Sequence, residues 1–234
     1  LLDQVTFDEM ATLIGQGYHN TAVVPSVSKP ATVDDNGPQG FTQNLTGVSE
    51  CHTAYADENI MAATYNVELM EELGKALGND VLDLGATGLY GPAMNIHRNA
   101  YAGRNFEYYS EDPLLAGSMA AAMTQGVQSI PGCGTTIKHF ACNNQEDNRM
   151  GSDSILSERT LREIYLKGFE TAIRSAQPMA MMTSYNLING VHAANNYDIC
   201  TKAARDEWGF AGAIMTDWTT TTDSTAVSVR QQAV

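Results

Sequence analysis

The stretch "AGAIMTD", residues 211–217, decides which fold the sequence favours. Its first five residues are mostly apolar, and they lead directly into Thr216 and Asp217. A short continuous apolar run predicts a strand that is covered on both faces. Burying a carboxylate at the end of such a strand is costly unless charged or hydrogen-bonding groups lie beside it. Asp217 is therefore expected where polar side chains from several segments converge.

Four other runs also have the composition of strands, and amphipathic segments lie between them. They span residues 21–27, 88–95, 135–141 and 178–186. Strands that alternate with helices at this spacing predict a parallel sheet flanked by helices. The choice is then between a barrel and an open doubly wound sheet.

Polar residues at the carboxyl ends of these runs favour the barrel. In a (β/α) barrel the strand ends converge on one mouth, where side chains from different strands meet. An open sheet gathers its ligand groups beside a glycine-rich phosphate loop, and "GATGLYG" (85–91) lacks the GxGxxG spacing of such a loop. We therefore predict a (β/α)8 TIM-barrel-like domain. The polar residues in question are Asn95, His97, Lys138, His139, Tyr185, Asn186 and Asp217.

Amphipathic segments predict five helices between the strands. Thr6 and Glu9 form a capping-box pattern that begins a first helix ending near Gly15. The clearest helix begins near Ser157, because its apolar residues recur at the spacing of one helix face. The other three cover residues 58–78, the segment that follows Pro113, and residues 198–208.

Composition excludes several classes of protein. The 234 residues include 43% hydrophobic and 17% charged residues, which is typical of a folded globular domain. A formal net charge of −14 disfavours nucleic acid and anionic membrane surfaces as partners. No stretch approaches the roughly 20 consecutive apolar residues of a membrane-spanning helix. No signal peptide is visible at the N-terminus either.

The cysteines and histidines predict no disulfide framework, metal site or cofactor. The four cysteines, Cys51, Cys133, Cys142 and Cys200, are scattered, which predicts free thiols in a reducing compartment and a cytoplasmic location. The sequon at residues 44–46 is weak counter-evidence. The five histidines lack the spacing of metal ligands, and nothing suggests a nucleotide or a flavin.

Five blocks of the chain carry a recognisable pattern: "GPAMNIHRNAYAGRNFEYYSEDP" (91–113), "KHFACNNQEDNR" (138–149), "SERTLREIYLKGFE" (157–170), "MMTSYNLINGV" (181–191) and "RDEWGFAGAIMTDW" (205–218). Together they resemble glycoside hydrolase family 3, and most closely its β-glucosidases. The likeness extends from about residue 34 to residue 218, with the blocks in the family's order and at plausible spacings.

The resemblance implies a (β/α) barrel-like domain that hydrolyses β-glycosides with retention of configuration. The family's nucleophile is the aspartate of the motif that here reads Met215-Thr216-Asp217-Trp218, so the resemblance assigns that role to Asp217. Such a carboxylate forms a covalent glycosyl-enzyme, which water then opens. Trp218 is expected to present an apolar face to a sugar ring. A strand-end acid beside a core tryptophan is the ordinary alternative.

The resemblance also implies a set of sugar-binding side chains. Arg104 is expected to donate to hydroxyls in the innermost subsite, and a plain salt bridge with Glu107 or Glu111 is its alternative. Tyr185 is expected near the nucleophile, where its hydroxyl could orient the carboxylate. The remaining expected sugar contacts, each with a structural or solvent-exposed role as its alternative, are Lys138, His139, Arg149 and Met182.

One departure from the family pattern affects the expected affinity. The family commonly has Asp-Gly-Pro where this chain has Asn36-Gly37-Pro38. Asn36 is still expected to contact the sugar, because it keeps an acceptor oxygen, but it lacks the charge that strengthens a hydrogen bond. Asp35 could substitute through a shifted loop. The resulting hypothesis is weaker glucose binding or an altered preference at that hydroxyl.

A second departure concerns the acid/base group. Retaining hydrolysis needs two carboxyl groups about 5–5.5 Å apart, and in this family the acid/base usually comes from a second, α/β sandwich domain. We expect residues 1–234 to form one barrel-type domain that is incomplete at its C-terminus. A domain or partner chain outside this sequence is expected to supply the acid/base. Glu107 and Glu146 are the internal candidates for that role.

The preferred hypothesis is a retaining enzyme that needs no cofactor. It removes terminal non-reducing β-D-glucosyl residues from a β-glucoside or a short β-linked oligosaccharide. One alternative is a carbohydrate-binding, catalytically inactive fragment or homologue. Another is a β-xylosidase, or a β-N-acetylglucosaminidase whose acid/base lies inside the barrel domain. The block "KHFACNNQE" replaces the histidine-containing loop of that last branch, which ranks β-glucosidase ahead.

Overall fold

The computed structural model describes residues 1–15, 19–42, 52–218 and 220, so Cys51 and the sequon at residues 44–46 lie outside it. The strands of the described residues are β1 (Asn20–Thr21), β2 (Thr32–Asn36), β3 (Gly88–Tyr90), β4 (Gly134–Phe140), β5 (Asp153–Ser154), β6 (Ala180–Thr183), β7 (Leu187–Ile188), β8 (Val191–His192) and β9 (Ala213–Thr216). One sheet has the strand order β1-β2-β3-β4-β6-β9, and β5, β7 and β8 form a small second sheet. In the larger sheet β1 is antiparallel to β2, whereas all neighbours from β2 to β9 are parallel.

Helices connect the parallel strands, as the sequence predicts. The α-helices of the described residues are α1 (Phe7–Gly15), α2 (Glu58–Ala63), α3 (Val67–Asp83), α4 (Pro113–Gln128), α5 (Glu158–Thr160) and α6 (Lys167–Ala176). Two segments, Leu161–Tyr165 and Asp198–Glu207, have π-helical hydrogen bonding. Short 3-10 turns cover Leu2–Gln4, Pro25–Val27, Asn105–Glu107 and Ala193–Asn195. None of the described helices combines the length and the apolar character needed to cross a bilayer.

The strand–helix–strand order confirms the predicted fold class. The parallel strands curl into about half of a TIM-barrel-like domain, and a helix lies between each pair of successive parallel strands. Such connections place the carboxyl ends of all the parallel strands at one edge of the sheet.

The helix predicted over residues 58–78 is wrong in its continuity. The chain leaves the helical conformation at Tyr65, whose φ is 51°, and the helix α3 starts after it. The side chain of Asn66 accepts a hydrogen bond from the backbone N–H of Leu69 at 2.9 Å, which caps the new helix. Asn66 is thus a helix start signal inside a segment whose apolar periodicity hides the break.

The strand predicted over residues 21–27 is also wrong. Only Asn20–Thr21 pairs in the sheet, and Pro25 lacks the N–H that a continuing strand would need. The true first parallel strand is Thr32–Asn36, which was missed because its sequence "TVDDN" is mostly polar. The strand predicted over 88–95 ends at Tyr90.

Three helices pack closely on the outside of the sheet through glycines. A Cβ atom on Gly126 of α4 would lie 2.2 Å from the carbonyl oxygen of Glu71 in α3. Gly117 of α4 approaches α6 in the same way, with a Cβ position 2.8 Å from the carbonyl oxygen of Gly168. The helix α4 is therefore covered on two sides, which explains why its alanine-rich sequence shows little amphipathic character.

Candidate active site

The carboxyl ends of the parallel strands surround a cavity of about 240 Å³. Its walls come from loops and from the ends of β2, β4, β6 and β9. All of the predicted site residues except Tyr185 line it: Asn36, Arg104, Lys138, His139, Arg149, Met182, Asp217 and Trp218. The structure thus brings together side chains that are up to 182 positions apart in the sequence.

Asp217 lies at the end of β9 with its side chain 7% exposed. The backbone N–H of Trp218 donates to Oδ1 of Asp217 at 2.7 Å. The Nε2 atom of His139 lies 3.6 Å from Oδ2. The hydroxyl of Tyr185 also interacts with this carboxylate as a hydrogen-bond donor. Both carboxylate oxygens therefore have a fixed neighbour, which restricts the rotation of the side chain.

Burial and nearby charges act on Asp217 in opposite directions. Burial raises the pKa of the carboxyl group above its ordinary value. The N–H of Trp218 and the positive charges of Arg104, Lys138 and Arg149 oppose this increase. The three cations thus offset part of the cost of burying the ionised carboxylate, but burial is the larger effect and the pKa stays above its ordinary value.

Lys138 and His139 both reach the cavity although they are adjacent in β4. The ladder between β4 and β6 shifts its register between Lys138 and Phe140, so His139 is left out of the pairing. Bulges of this kind redirect side chains at the ends of strands. The side-chain amide of Asn95 holds the bulge, because it donates to the carbonyl of His139 and accepts its N–H, both at 2.8 Å.

A chain of hydrogen bonds fixes the tautomer of His139. The amide of Asn143 donates to the hydroxyl oxygen of Tyr108 at 2.8 Å. That hydroxyl is then free to donate to Nδ1 of His139, 3.2 Å away. Burial, together with the cations around the cavity, lowers the pKa of His139 well below its ordinary value, so the ring is neutral. A neutral ring that accepts at Nδ1 presents its Nε2–H to Asp217.

Glu107 anchors two of the cations that line the cavity. Its carboxylate accepts a hydrogen bond from Nε of Arg104 and lies 3.3 Å from Nζ of Lys138. Burial alone would raise the pKa of Glu107, but Lys138 and Arg104 outweigh it and hold the pKa below its ordinary value. The salt bridge considered as an alternative for Arg104 is thus present, and Arg104 lines the cavity as well.

The other acidic candidate, Glu146, is also paired. Its carboxylate accepts from Nη1 of Arg149 and from the amide of Asn143, each at 3.0 Å. The guanidinium of Arg149 lies 4.6 Å from the centre of the Tyr185 ring, which is a cation–π contact. Both acids that sequence analysis named as internal proton donors therefore serve as partners of cavity arginines.

Several supporting residues were not found from the sequence. Tyr108 and Asn143 belong to the recognisable blocks, but their spacing gives no sign that they meet His139. Glu58 begins α2 and is fully buried, and burial followed by the charge of Glu107 raises its pKa well above the ordinary value. Among the described residues, no group of three or more His, Cys, Asp or Glu side chains could hold a metal ion.

A curled parallel half-barrel with a carboxylate, basic side chains and an indole at one mouth has the features of a ligand-binding barrel domain. Residues 31–234 match the sequence model of the Glycosyl hydrolase family 3 N terminal domain. The chain belongs to glycoside hydrolase family 3.

Similar proteins support this assignment. Beta-glucosidase A from Butyrivibrio fibrisolvens is 41% identical over 225 residues, covering 92% of this chain and 26% of the relative. An exo-alpha-(1->6)-L-arabinopyranosidase from Bifidobacterium longum is 40% identical over 226 residues, covering 92% and 29%. The structure of beta-glucosidase 3B from Thermotoga neapolitana in complex with alpha-D-glucose is 45% identical with a TM-score of 0.86, covering 93% of this chain and 33% of that one. The chain therefore spans about a third or less of these proteins.

Proposed function

We propose that the chain supplies the nucleophile and the innermost sugar-binding pocket of a retaining β-glucosidase. One observation carries the proposal: Asp217 shares its cavity with Arg104, Lys138, His139 and Arg149. Basic groups that donate several hydrogen bonds suit the vicinal hydroxyls of a pyranose. The family membership and the relatives named beta-glucosidase agree with a glucoside as the substrate.

In this proposal Asp217 attacks the anomeric carbon of the terminal glucosyl unit. A bond forms between a carboxylate oxygen and that carbon, and the bond to the leaving oxygen breaks. Tyr185 and the N–H of Trp218 hold the attacking carboxylate. The cations around it keep the group ionised before attack. Trp218 provides an apolar face for the sugar ring.

The leaving oxygen needs a proton, and Glu107 and Glu146 are already engaged with arginine or lysine side chains. We propose that the acid/base comes from a second domain or from another chain. The chain covers about a third or less of the length of its relatives, which is consistent with such a missing part. The substrate is then a β-glucoside or a short β-linked oligosaccharide, bound where the two parts meet.

Trapping the covalent intermediate tests the proposal. A 2-fluoro glucoside with a dinitrophenyl leaving group needs little acid assistance, so the isolated chain should gain one fluoroglucosyl group by mass spectrometry. Peptide mapping should place the label on Asp217, and Asp217→Asn should abolish it. The matched variant Asp147→Asn, in an exposed loop acid, should still be labelled. Glucose binding without label would instead support an inactive carbohydrate-binding protein. The absence of both labelling and glucose binding would refute the proposal.

A second glycone is favoured by one specific observation. Two relatives that are 40% identical are named exo-alpha-(1->6)-L-arabinopyranosidase. The cavity is small, and Asn36 lines it. A panel of aryl glycosides, including β-glucoside, β-xyloside and α-L-arabinopyranoside, should therefore accompany the trapping experiment. Release of aryl alcohol fastest from the arabinopyranoside would favour this second function over the first.

A further inference from the structure

Trp218 has a stacking partner from the N-terminal part of the chain. The imidazole of His19 contacts the indole with 4.3 Å between ring centroids, and the two rings are tilted by 32°. Tyr90 completes the cluster, 5.2 Å from His19 and 6.1 Å from Trp218. Aromatic pairs at such separations attract one another beyond the area they bury.

His19 is itself held firmly in place. It is 6% exposed, and its Nδ1 atom lies 2.8 Å from the carbonyl oxygen of Asp34, which accepts the hydrogen bond. The strand β1 begins directly after His19 and pairs with β2, with Asn20 opposite Val33. Burial lowers the pKa of His19, which favours the neutral ring. Trp218, in contrast, is only half-buried and lines the cavity. The contact therefore joins the fixed imidazole of His19 to an indole at the mouth of the cavity.

We propose that His19 is a positioning residue, which stacks on Trp218 and fixes the plane of the indole that faces the sugar. The proposal rests on the sugar-binding role of Trp218 given under the proposed function. His19 lies before residue 31, where the match to the family begins, so the N-terminal segment contributes to the site from outside the matched region. Fixing the indole before the sugar arrives reduces the ordering that binding would otherwise require.

The experiment compares variants of His19 in a Trp208→Phe background. The chain has two tryptophans, so this background leaves Trp218 as the only source of indole signal. Near-UV circular dichroism then reports the order of Trp218 without any sugar present. Labelling by the 2-fluoro glucoside gives a second readout, separated into the apparent affinity and the limiting rate. Asn20→Ala, an exposed change in β1, controls for disturbance of the strand.

His19→Ala should reduce the Trp218 signal to less than half and weaken the apparent affinity about 3- to 10-fold, from the usual strength of an aromatic pair. The limiting rate should change less than about twofold, because Asp217 keeps its own partners. His19→Phe should restore the signal and the affinity, and Asn20→Ala should match the parent. If His19→Ala unfolds, His19→Phe still tests the proposal, because it keeps an aromatic ring at this position but lacks the imidazole.

An unchanged Trp218 signal in His19→Ala would overturn the proposal, as would an equal loss in Asn20→Ala or no recovery in His19→Phe. If the parent neither binds nor reacts with the glucoside, the proposed function fails. The dichroism of Trp218 would still decide whether His19 positions the indole.

Discussion

Replacing Glu107 by glutamine should destabilise the protein far more than an ordinary salt-bridge mutation. The substitution keeps the shape of the side chain but removes the negative charge shared by Arg104 and Lys138. The side chains of these two cations are 19% and 6% exposed, and that of Glu107 is 9% exposed. Breaking a buried ion pair leaves an uncompensated charge and costs about 3–5 kcal/mol. We expect a loss of that size in the free energy of unfolding.

Urea unfolding of Glu107→Gln and of a matched control measures this loss. The control is Glu163→Gln, since Glu163 pairs with Arg159 at 3.0 Å but both side chains are more than half exposed. Exposed pairs contribute about 0–1 kcal/mol, so the control should remain within that range of the parent. A cost for Glu107→Gln no larger than that of Glu163→Gln would refute the argument that Glu107 anchors the two cations.

The same prediction has a definite pH dependence. The pKa of Glu107 is lower in the folded protein than its ordinary value, so its ionisation stabilises the fold above the ordinary pKa. That contribution is lost as the pH falls through the lowered pKa. The stability difference between the parent and Glu107→Gln should therefore shrink below about pH 4. A difference that stays constant down to acid pH would contradict the assigned charge state.

Three further predictions concern packing, charge and specificity. Gly126→Ala should lower the free energy of unfolding by about 1–3 kcal/mol in urea, because the new Cβ meets the carbonyl of Glu71. Arg149→Gln removes a cation that opposes the raised pKa of Asp217, so the acid limb of labelling should move to higher pH. Asn36→Asp should tighten glucose binding about fivefold in calorimetry through a charge-assisted hydrogen bond, and unchanged affinity would count against a role of Asn36.

The fold was predictable where the hydrophobic pattern is strong. The runs that became β6 and β9 are mostly apolar and short, and parallel strands covered on both faces have this composition. The strand β2 was missed because "TVDDN" has no such pattern. Only its pairing with β3 in the folded structure identifies it as a strand. The break at Tyr65 was missed for the opposite reason, since the apolar periodicity continues on both sides of it. Local turn geometry is set by single residues, and averaging hydrophobicity over a window of sequence hides their effect.

The convergence of polar side chains on one cavity was predictable from the sequence, but the hydrogen bonds and ring contacts that connect them were not. The polar ends of strands indicated where Lys138, His139 and Asp217 would meet, because parallel strands bring their carboxyl ends to one edge. The bond from Asn143 through Tyr108 to His139 joins loops whose relative positions only the folded structure defines. The stacking of His19 on Trp218 joins residues 199 positions apart, and neither has a sequence signal for the other.

The charges around the cavity lower the cost of burying the carboxylate of Asp217. Arg104, Lys138 and Arg149 carry three positive charges, while Glu107 and Glu146 neutralise two of them through direct contacts. One positive charge is therefore left to balance Asp217, so an ionised Asp217 makes this group of six charged side chains neutral. Protonating Asp217 would leave an unbalanced cation in a mostly buried cavity, which is costly. These cations therefore offset part of the cost of burying an ionised Asp217, although burial still raises its pKa above the ordinary value.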